Sequence, residues 1–156
     1  MNYHFVDRVL FLDVKGEGRI ETLKAFPRTE DYLDDIFRSP SVVPSSLLLE
    51  TMASSGALLI SACYHYNVHA LLLKIEEVRF FNAVHSGDRV LVRSQLLGVH
   101  GEVAKTVGEA LVGETKVAEA RLLFLHVPWD RTIGRGKESF ILRVLEWLGL
   151  ERTPTS

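Results

Sequence analysis

Glu50 is the single charged residue in an otherwise apolar or small-residue stretch that covers residues 39–61. Burying an ionised carboxylate costs several kcal/mol of stability unless a partner compensates it or the group stays protonated. One interpretation is that Glu50 caps a neighbouring backbone or reaches the seam of a dimer. The other is that a dry pocket keeps this carboxyl protonated, which suits general acid catalysis. The residues themselves leave both interpretations open.

Two histidines and one cysteine are the other side chains near this stretch that could bind a metal or act as a nucleophile. His65 and His69 have the i, i+4 spacing of a metal-binding pair, but no acidic third ligand lies close in sequence, so we expect surface or interface imidazoles and no metal. Cys63 is the only cysteine and cannot form an internal disulfide. Its place in the apolar stretch indicates an inert, buried thiol in a reducing, cytoplasmic compartment.

A long helix must position Glu50. Residues 45–66 contain no proline and one glycine, which predicts a helix of about twenty residues. Its serines, Thr51 and Glu50 argue against a membrane span, and a helix that is apolar nearly all round is typical of a protein core. On the helical wheel, the neighbours of Glu50 are Ser46, Leu47, Ala53, Ser54 and Ala57, while the other side carries Leu48, Met52, Leu59 and Ile60.

Strand patterns surround the helix on both sides in the sequence. Residues 5–14 and 19–26 predict a β-hairpin around a glycine-containing turn. Four strand-like segments follow between residues 71 and 127, separated by plausible reversals, which favours sequential antiparallel pairing. The predicted fold is therefore α+β, with a long central helix wrapped by a curved antiparallel β-sheet.

Length and charge predict one domain. The 156 residues carry 18 basic and 20 acidic side chains, spread along the chain, so neither nucleic acid nor an anionic membrane is an expected partner. The N-terminal stretch lacks the uninterrupted apolar core of a secretory signal. We assign residues 1–128 to the domain and residues 129–156 to a C-terminal extension, with an amphipathic helix at about 138–149. A short helix is also predicted after Pro27.

Three segments resemble one family. PSSLLLETMASSGALL, residues 44–59, is similar to the P-G-x-L-x-x-E-A-M-A-Q segment of the 3-hydroxyacyl-(acyl-carrier-protein) dehydratases, with Glu50 in register. FVDRVLFLD, residues 5–13, resembles the family's L-V-D-R-V opening, and VRFFNAVHSGDRVLV, residues 78–92, resembles its V-R-F-x-x-x-V-x-P-G-D segment. The resemblance implies the hot-dog fold, in which a long helix is wrapped by an antiparallel sheet.

The resemblance also implies a reaction. Members of that family reversibly dehydrate a 3-hydroxyacyl thioester to a trans-2-enoyl thioester without a metal or redox cofactor. A histidine and a carboxylate from opposite subunits of a dimer flank the substrate, and Glu50 holds the carboxylate position. The expected partners are an acyl thioester on acyl carrier protein or coenzyme A and at least one further subunit.

The sequence departs from the family at the histidine. Counting back from Glu50 without a gap puts the family histidine at Ile36, one inserted residue moves it to Asp35, and no histidine occurs between Phe5 and Tyr64. The family's helix-start glycine is Ser45 here, and its glutamine is Ser54. The predicted catalytic residues are Glu50 and Asp35, and the predicted substrate-binding residues are Phe37, Val43, Ser45 and Ser54.

Three functional hypotheses follow. The first is an enzyme with altered machinery, in which Asp35, or the less favoured Asp34, approaches Glu50 from a partner subunit; the simpler view of both aspartates is a solvated short helix. The second is a non-catalytic or half-site subunit that pairs with a histidine-bearing relative. The third is a thioesterase, in which Glu50 activates water and the helix N-terminus polarises the carbonyl.

Overall fold

Six β-strands and one long α-helix form the part of the chain that the computed structural model describes, which is residues 5–27, 42–131 and 149. A short 3-10 helix, Trp129–Arg131, follows the last strand. In chain order the main elements are β1 (Arg8–Asp13), β2 (Arg19–Ala25), α1 (Ser45–Cys63), β3 (Val68–Phe80), β4 (Arg89–His100), β5 (Val103–Val112) and β6 (Thr115–Pro128).

All six strands belong to one antiparallel sheet with the order β1-β2-β4-β5-β6-β3. The hairpin, the long helix and the four later strands are confirmed. The sequential pairing of β3 with β4 is wrong, because β3 pairs with β6 and β4 pairs with β2. The β3–β4 connection explains this difference: at its start the Phe81 N–H donates to the Val117 carbonyl in β6, whereas near its end the Gly87 N–H donates to the Phe26 carbonyl, just after β2.

Helix α1 packs across one face of the sheet, as the hot-dog resemblance implies. The residues predicted for the far side of the wheel from Glu50, namely Leu48, Met52, Leu59 and Ile60, are all buried. A buried hydrogen bond of 2.8 Å joins the Thr22 and Ser55 hydroxyls, which ties the helix to β2. Alternate residues of each inner strand face the helix because side chains in a strand point to opposite sides.

The opposite face of α1 differs from the expectation of a helix buried all round. Ser45, Ser46 and Glu50 are exposed, and Ser54 and Ala57 are half-buried. The sheet of a single chain covers only one side of a helix, so the other side remains open. By length and composition α1 would suffice to cross a membrane, a test that the core helix of a globular fold also passes, and half of its most apolar window is buried within the protein.

Two predicted helices lie outside the described residues. One is the short helix after Pro27, and the other is the C-terminal amphipathic helix at about 138–149. Gly149, the last residue of the second predicted helix, has a φ of +67°, the left-handed conformation that glycine adopts most readily. The division into a domain at 1–128 and an extension at 129–156 stays a prediction.

Candidate functional site

A groove of about 290 Å³ opens at the N-terminal end of α1. Two backbone contacts build it: the Val43 N–H donates to the Val84 carbonyl at 2.7 Å, and Val42 forms an isolated antiparallel bridge with His85. The segment that enters the helix therefore lies against the chain that leaves β3. Seven of the nine lining residues have apolar side chains, and the full lining is Val42, Val43, Ser45, Leu48, Phe80, Phe81, Asn82, Ala83 and Val84.

The first turn of α1 forms one end of this groove. Pro44 is the N-cap residue, no side chain caps the helix, and the first turn contains no acidic residue. The Leu47 and Leu48 N–H groups both donate to the Pro44 carbonyl, at 3.0 and 3.3 Å. The N–H groups that precede them, at Ser45 and Ser46, lie in the turn where helices leave donors without an intrahelical partner. Such donors attract a carbonyl oxygen or an anion.

The structure brings two of the predicted site residues together and leaves two apart. Val43 and Ser45 both line the groove. Glu50 lies roughly one and a half helical turns beyond Ser45, on the open face of α1, and does not line the groove of the single chain. Ser54 is one turn further along the same face. Asp35 and Phe37 lie outside the described residues.

Two aromatic side chains in the groove were missed by the sequence reasoning. Phe80 and Phe81, at the end of β3, are 41% and 48% exposed although both are large and apolar. The signal was present in the sequence, because two consecutive aromatics at a strand end cannot both face the core of an alternating strand. Their exposure gives the groove an apolar rim, and contact between this apolar surface and water is unfavourable.

A larger cleft of about 450 Å³ lies on the other face of the sheet. Its side chains form a chain of ion pairs: Arg93 contacts Glu21 at 3.0 Å and Glu109 at 3.6 Å, and Lys116 contacts Glu109 at 3.1 Å. Hydrogen bonds to Glu109 and then Glu119 raise the pKa of Lys116. Because opposite charges neutralise one another here and α1 is on the far face, this cleft is a weaker candidate than the smaller groove.

Potential nucleophiles and metal ligands do not form a second centre in the described residues. Cys63 is free and half-buried, and burial, followed by the nearby Asp13 carboxylate, raises the pKa of its thiol. This thiol therefore stays protonated and is a poor nucleophile. Across residues 5–27 and 42–131, no group of three His, Cys, Asp or Glu side chains is arranged to hold a metal ion.

Comparison with known proteins yields consistent similarities. Residues 1–121 match the FabA-like domain model. The 3-hydroxyacyl-[acyl-carrier-protein] dehydratase FabZ of Desulforamulus reducens is 33% identical over 121 residues, which cover 76% of this chain and 83% of the relative. The FabZ protein of Thermus thermophilus is 34% identical over 122 residues, 77% of this chain and 84% of that protein.

Solved structures share the fold at low identity. A Streptococcus mutans protein bound to acetyl CoA superimposes with a TM-score of 0.61 and 10% identity, over 78% of this chain and 88% of the other. A Haemophilus influenzae thioesterase superimposes with a TM-score of 0.59 and 16% identity, over 75% of this chain and 77% of the other. At these identities the likeness supports the fold alone.

Proposed function

The chain belongs to the FabA-like domain family, and from that premise we propose that it interconverts 3-hydroxyacyl and trans-2-enoyl thioesters in cytoplasmic fatty acid biosynthesis. The thioester is carried on acyl carrier protein or coenzyme A. The observation that carries the proposal is a groove, with apolar side chains at seven of its nine lining residues, at the N-terminus of the helix that bears Glu50. No metal or redox cofactor is needed, because the reaction only moves protons and expels water.

The groove supplies the two kinds of contact that an acyl thioester requires. Apolar side chains such as Phe80, Phe81 and Val84 favour an alkyl chain, since burial of apolar surface stabilises binding. The uncapped N-terminus of α1 supplies backbone N–H donors for the thioester carbonyl oxygen. Polarising that carbonyl stabilises the negative charge that develops when the C2 proton is removed.

Glu50 is the proposed acid that protonates the departing hydroxyl. In a single chain its side chain is exposed, and acid catalysis by a carboxyl works best where water is excluded. We therefore propose that a second copy covers the open face of α1 and completes the site. The exposed apolar edge strand β3, with Leu72, Leu73 and Ile75, supports such an assembly.

Two alternatives keep the same groove and change its chemistry. In the first, the partner is a histidine-bearing relative, and this chain contributes Glu50 to a composite site or only supports the fold. In the second, Glu50 activates water for thioester hydrolysis. We consider this candidate because a thioesterase is among the solved structures with the same fold. Asp35 stays a predicted second catalytic residue in the enzyme hypothesis.

The decisive experiment follows enoyl formation and free-thiol release from 3-hydroxyacyl thioesters of several chain lengths. Each thioester is offered on acyl carrier protein and on coenzyme A to the purified chain. We expect dehydration by the wild type and a loss of about 100-fold to 10,000-fold in kcat for Glu50→Gln. The matched control is Glu114→Gln, which alters an exposed carboxylate in the β5–β6 turn and should leave the rate unchanged.

Other outcomes select the alternatives. Free thiol without enoyl product indicates a thioesterase. An inactive chain that restores dehydration when mixed with a histidine-bearing relative indicates a half-site subunit. Full dehydratase activity in Glu50→Gln would refute the role of that carboxyl.

A further inference from the structure

Dehydration of a 3-hydroxyacyl thioester needs two proton-transfer groups. One group removes the C2 proton and the other protonates the hydroxyl that leaves C3, because hydroxide itself is a poor leaving group. Glu50 is assigned one of these steps by the proposed function, on which this inference rests. The second group must titrate near neutral pH and lie at the same end of α1 as the groove.

Only one histidine of the described residues meets that positional requirement. His65, His69 and His126 lie at the opposite end of α1, where Tyr64, the C-cap residue, stacks on His126. His100 ends β4 at the β4–β5 turn. His85 is in the connection between β3 and β4, next in sequence to Val84 of the groove wall.

The backbone fixes His85 at the rim of the groove. Its bridge partner is Val42, which lines the groove. Side chains of directly opposed residues in an antiparallel pair project to the same side, so the imidazole lies beside Val42. Its side chain is 48% exposed, which leaves room for a substrate to reach the ring.

The turn around His85 is held rigidly. The His85 N–H donates to Asp88 Oδ2 at 2.8 Å, and the Asp88 N–H donates to the His85 carbonyl at 3.0 Å. The Phe26 N–H and the Gly87 N–H add hydrogen bonds between this turn and the end of β2. A side chain on a fixed turn needs little reorganisation to act on a bound substrate.

A carboxylate lies on the Nδ1 side of the imidazole, since Asp88 Oδ2 is 3.9 Å from His85 Nδ1. That distance exceeds a hydrogen bond. Nε2, the other ring nitrogen, is the atom assigned to accept the proton. The arrangement is a histidine with a carboxylate nearby, separate in sequence from the helix that carries Glu50.

We propose that His85 is the catalytic base of this site. Its Nε2 accepts the C2 proton, the C–H electron pair forms the C2=C3 double bond, and the C3–O bond breaks. The hydroxyl leaves as water with the proton of a Glu50 carboxyl, which the second copy invoked by the proposed function supplies, because Glu50 does not line the groove of its own chain. The imidazolium then returns a proton to the Glu50 carboxylate through solvent, so the enzyme is regenerated and the reaction balances as elimination of water.

The test compares His85→Gln with His100→Gln in the full chain, using 3-hydroxybutyryl-coenzyme A as the probe. His85→Gln should lower kcat about 100-fold to 10,000-fold with KM within a few-fold. His100→Gln should match the wild type. Added imidazole should restore part of the activity of His85→Ala, which a merely structural role would not predict.

Contrary results separate this assignment from the proposed function. An active wild type with an equally active His85→Gln overturns the assignment and leaves the proposed function intact. The same conclusion follows if Asp35→Asn loses activity while His85→Gln keeps it. A wild type that neither dehydrates nor hydrates any thioester overturns the proposed function and the assignment together. If His85→Gln does not fold, the His85→Ala rescue experiment decides.

Discussion

Glu50 makes no hydrogen bond or ion pair within residues 5–27 and 42–131, and its side chain is exposed on the open face of α1. In water an ionised carboxylate needs no compensation, so the burial cost inferred from the sequence does not arise in one copy. It would arise only in the proposed assembly, in which a second copy or an acyl chain covers that face. The role proposed for Glu50 is therefore tied to that assembly.

His69 provides a residue-scale prediction about pH. Its ring stacks on Trp129 with centroids 4.5 Å apart, and its Nδ1 is buried with no hydrogen-bond partner among the described residues. Burial lowers the pKa of His69 from its usual 6.5. The unfolded chain therefore binds a proton that the folded chain resists, so this contribution to stability is complete above about pH 6.5 and declines as the pH falls below it. We expect the thermal midpoint of unfolding to decrease between about pH 7.5 and 5.5.

A substitution pair isolates the contribution of His69. His69→Phe keeps an aromatic ring on Trp129 and removes the titration, so its midpoint should vary less with pH than that of the wild type. His100→Gln removes an exposed imidazole and should preserve the wild-type slope. Parallel pH curves for wild type and His69→Phe would assign the effect to other groups.

At the scale of elements, the sequence predicts what local patterns determine. The wheel of α1 separated Leu48 and Met52, which are buried, from Ser46 and Glu50, which are exposed, because helical periodicity fixes which residues share a face. Strand bounds followed in the same way from composition and turns. The sequential pairs β1–β2, β4–β5 and β5–β6 followed as well. The pairing of β3 with β6 and of β2 with β4 did not, because it depends on the route of the β3–β4 connection, which no local pattern encodes.

For the site too, the sequence indicated local neighbours but not contacts between distant segments. Val43 and Ser45 both line the groove at the helix start, which their position next to the helix in the sequence makes predictable. Phe80 and Phe81 join them only because the connection after β3 returns to the N-terminus of α1. Such a contact between distant segments is a property of the tertiary fold, so the sequence analysis missed both aromatics.

Gly56 offers an element-scale prediction about how closely α1 approaches the sheet. A Cβ at this position would lie 3.1 Å from two ring atoms of Phe124 and 3.2 Å from Thr106 Oγ1. Alanine gains about 1 kcal/mol of helix propensity, but overpacking a buried ring costs about 1 to 3 kcal/mol. Phe124 is 1% exposed and has little freedom to move. We expect Gly56→Ala to lower the free energy of unfolding by about 1 kcal/mol in denaturant titrations.

The control for Gly56 is a glycine with space around it. At Gly98, in β4, no atom lies within 4 Å of an added Cβ, so Gly98→Ala should leave the free energy of unfolding unchanged or slightly higher. A Gly56→Ala variant that is more stable than the wild type would show that the ring yields and that the helix is less tightly packed than the distances indicate.

At the scale of the whole molecule, the main feature is β3, an edge strand with exposed apolar side chains. Among the strands that the structure describes, it pairs only with β6 and forms one end of the sheet. Long apolar edge strands are templates for pairing with another chain. Leu72 and Ile75 pair with Phe124 and Leu122, whose side chains are buried, so both edge residues face the side of the sheet that carries α1. Exposed large apolar residues along this edge are Leu71, Leu72, Leu73, Ile75 and Phe80.

Pairing of two copies along β3 would cover this edge and bring a second molecule over the open face of α1, where Glu50 lies. We expect sedimentation equilibrium to give a dimer for the wild type and a monomer for Ile75→Lys, because a charge in an apolar interface is costly to desolvate. Leu10→Lys is the matched control, since Leu10 is 48% exposed on β1 at the other edge, and it should remain dimeric. The Ile75→Lys monomer should also lose dehydration while keeping its circular dichroism spectrum, because Glu50 would then stay in water; a fully active monomer would show that one copy suffices for catalysis.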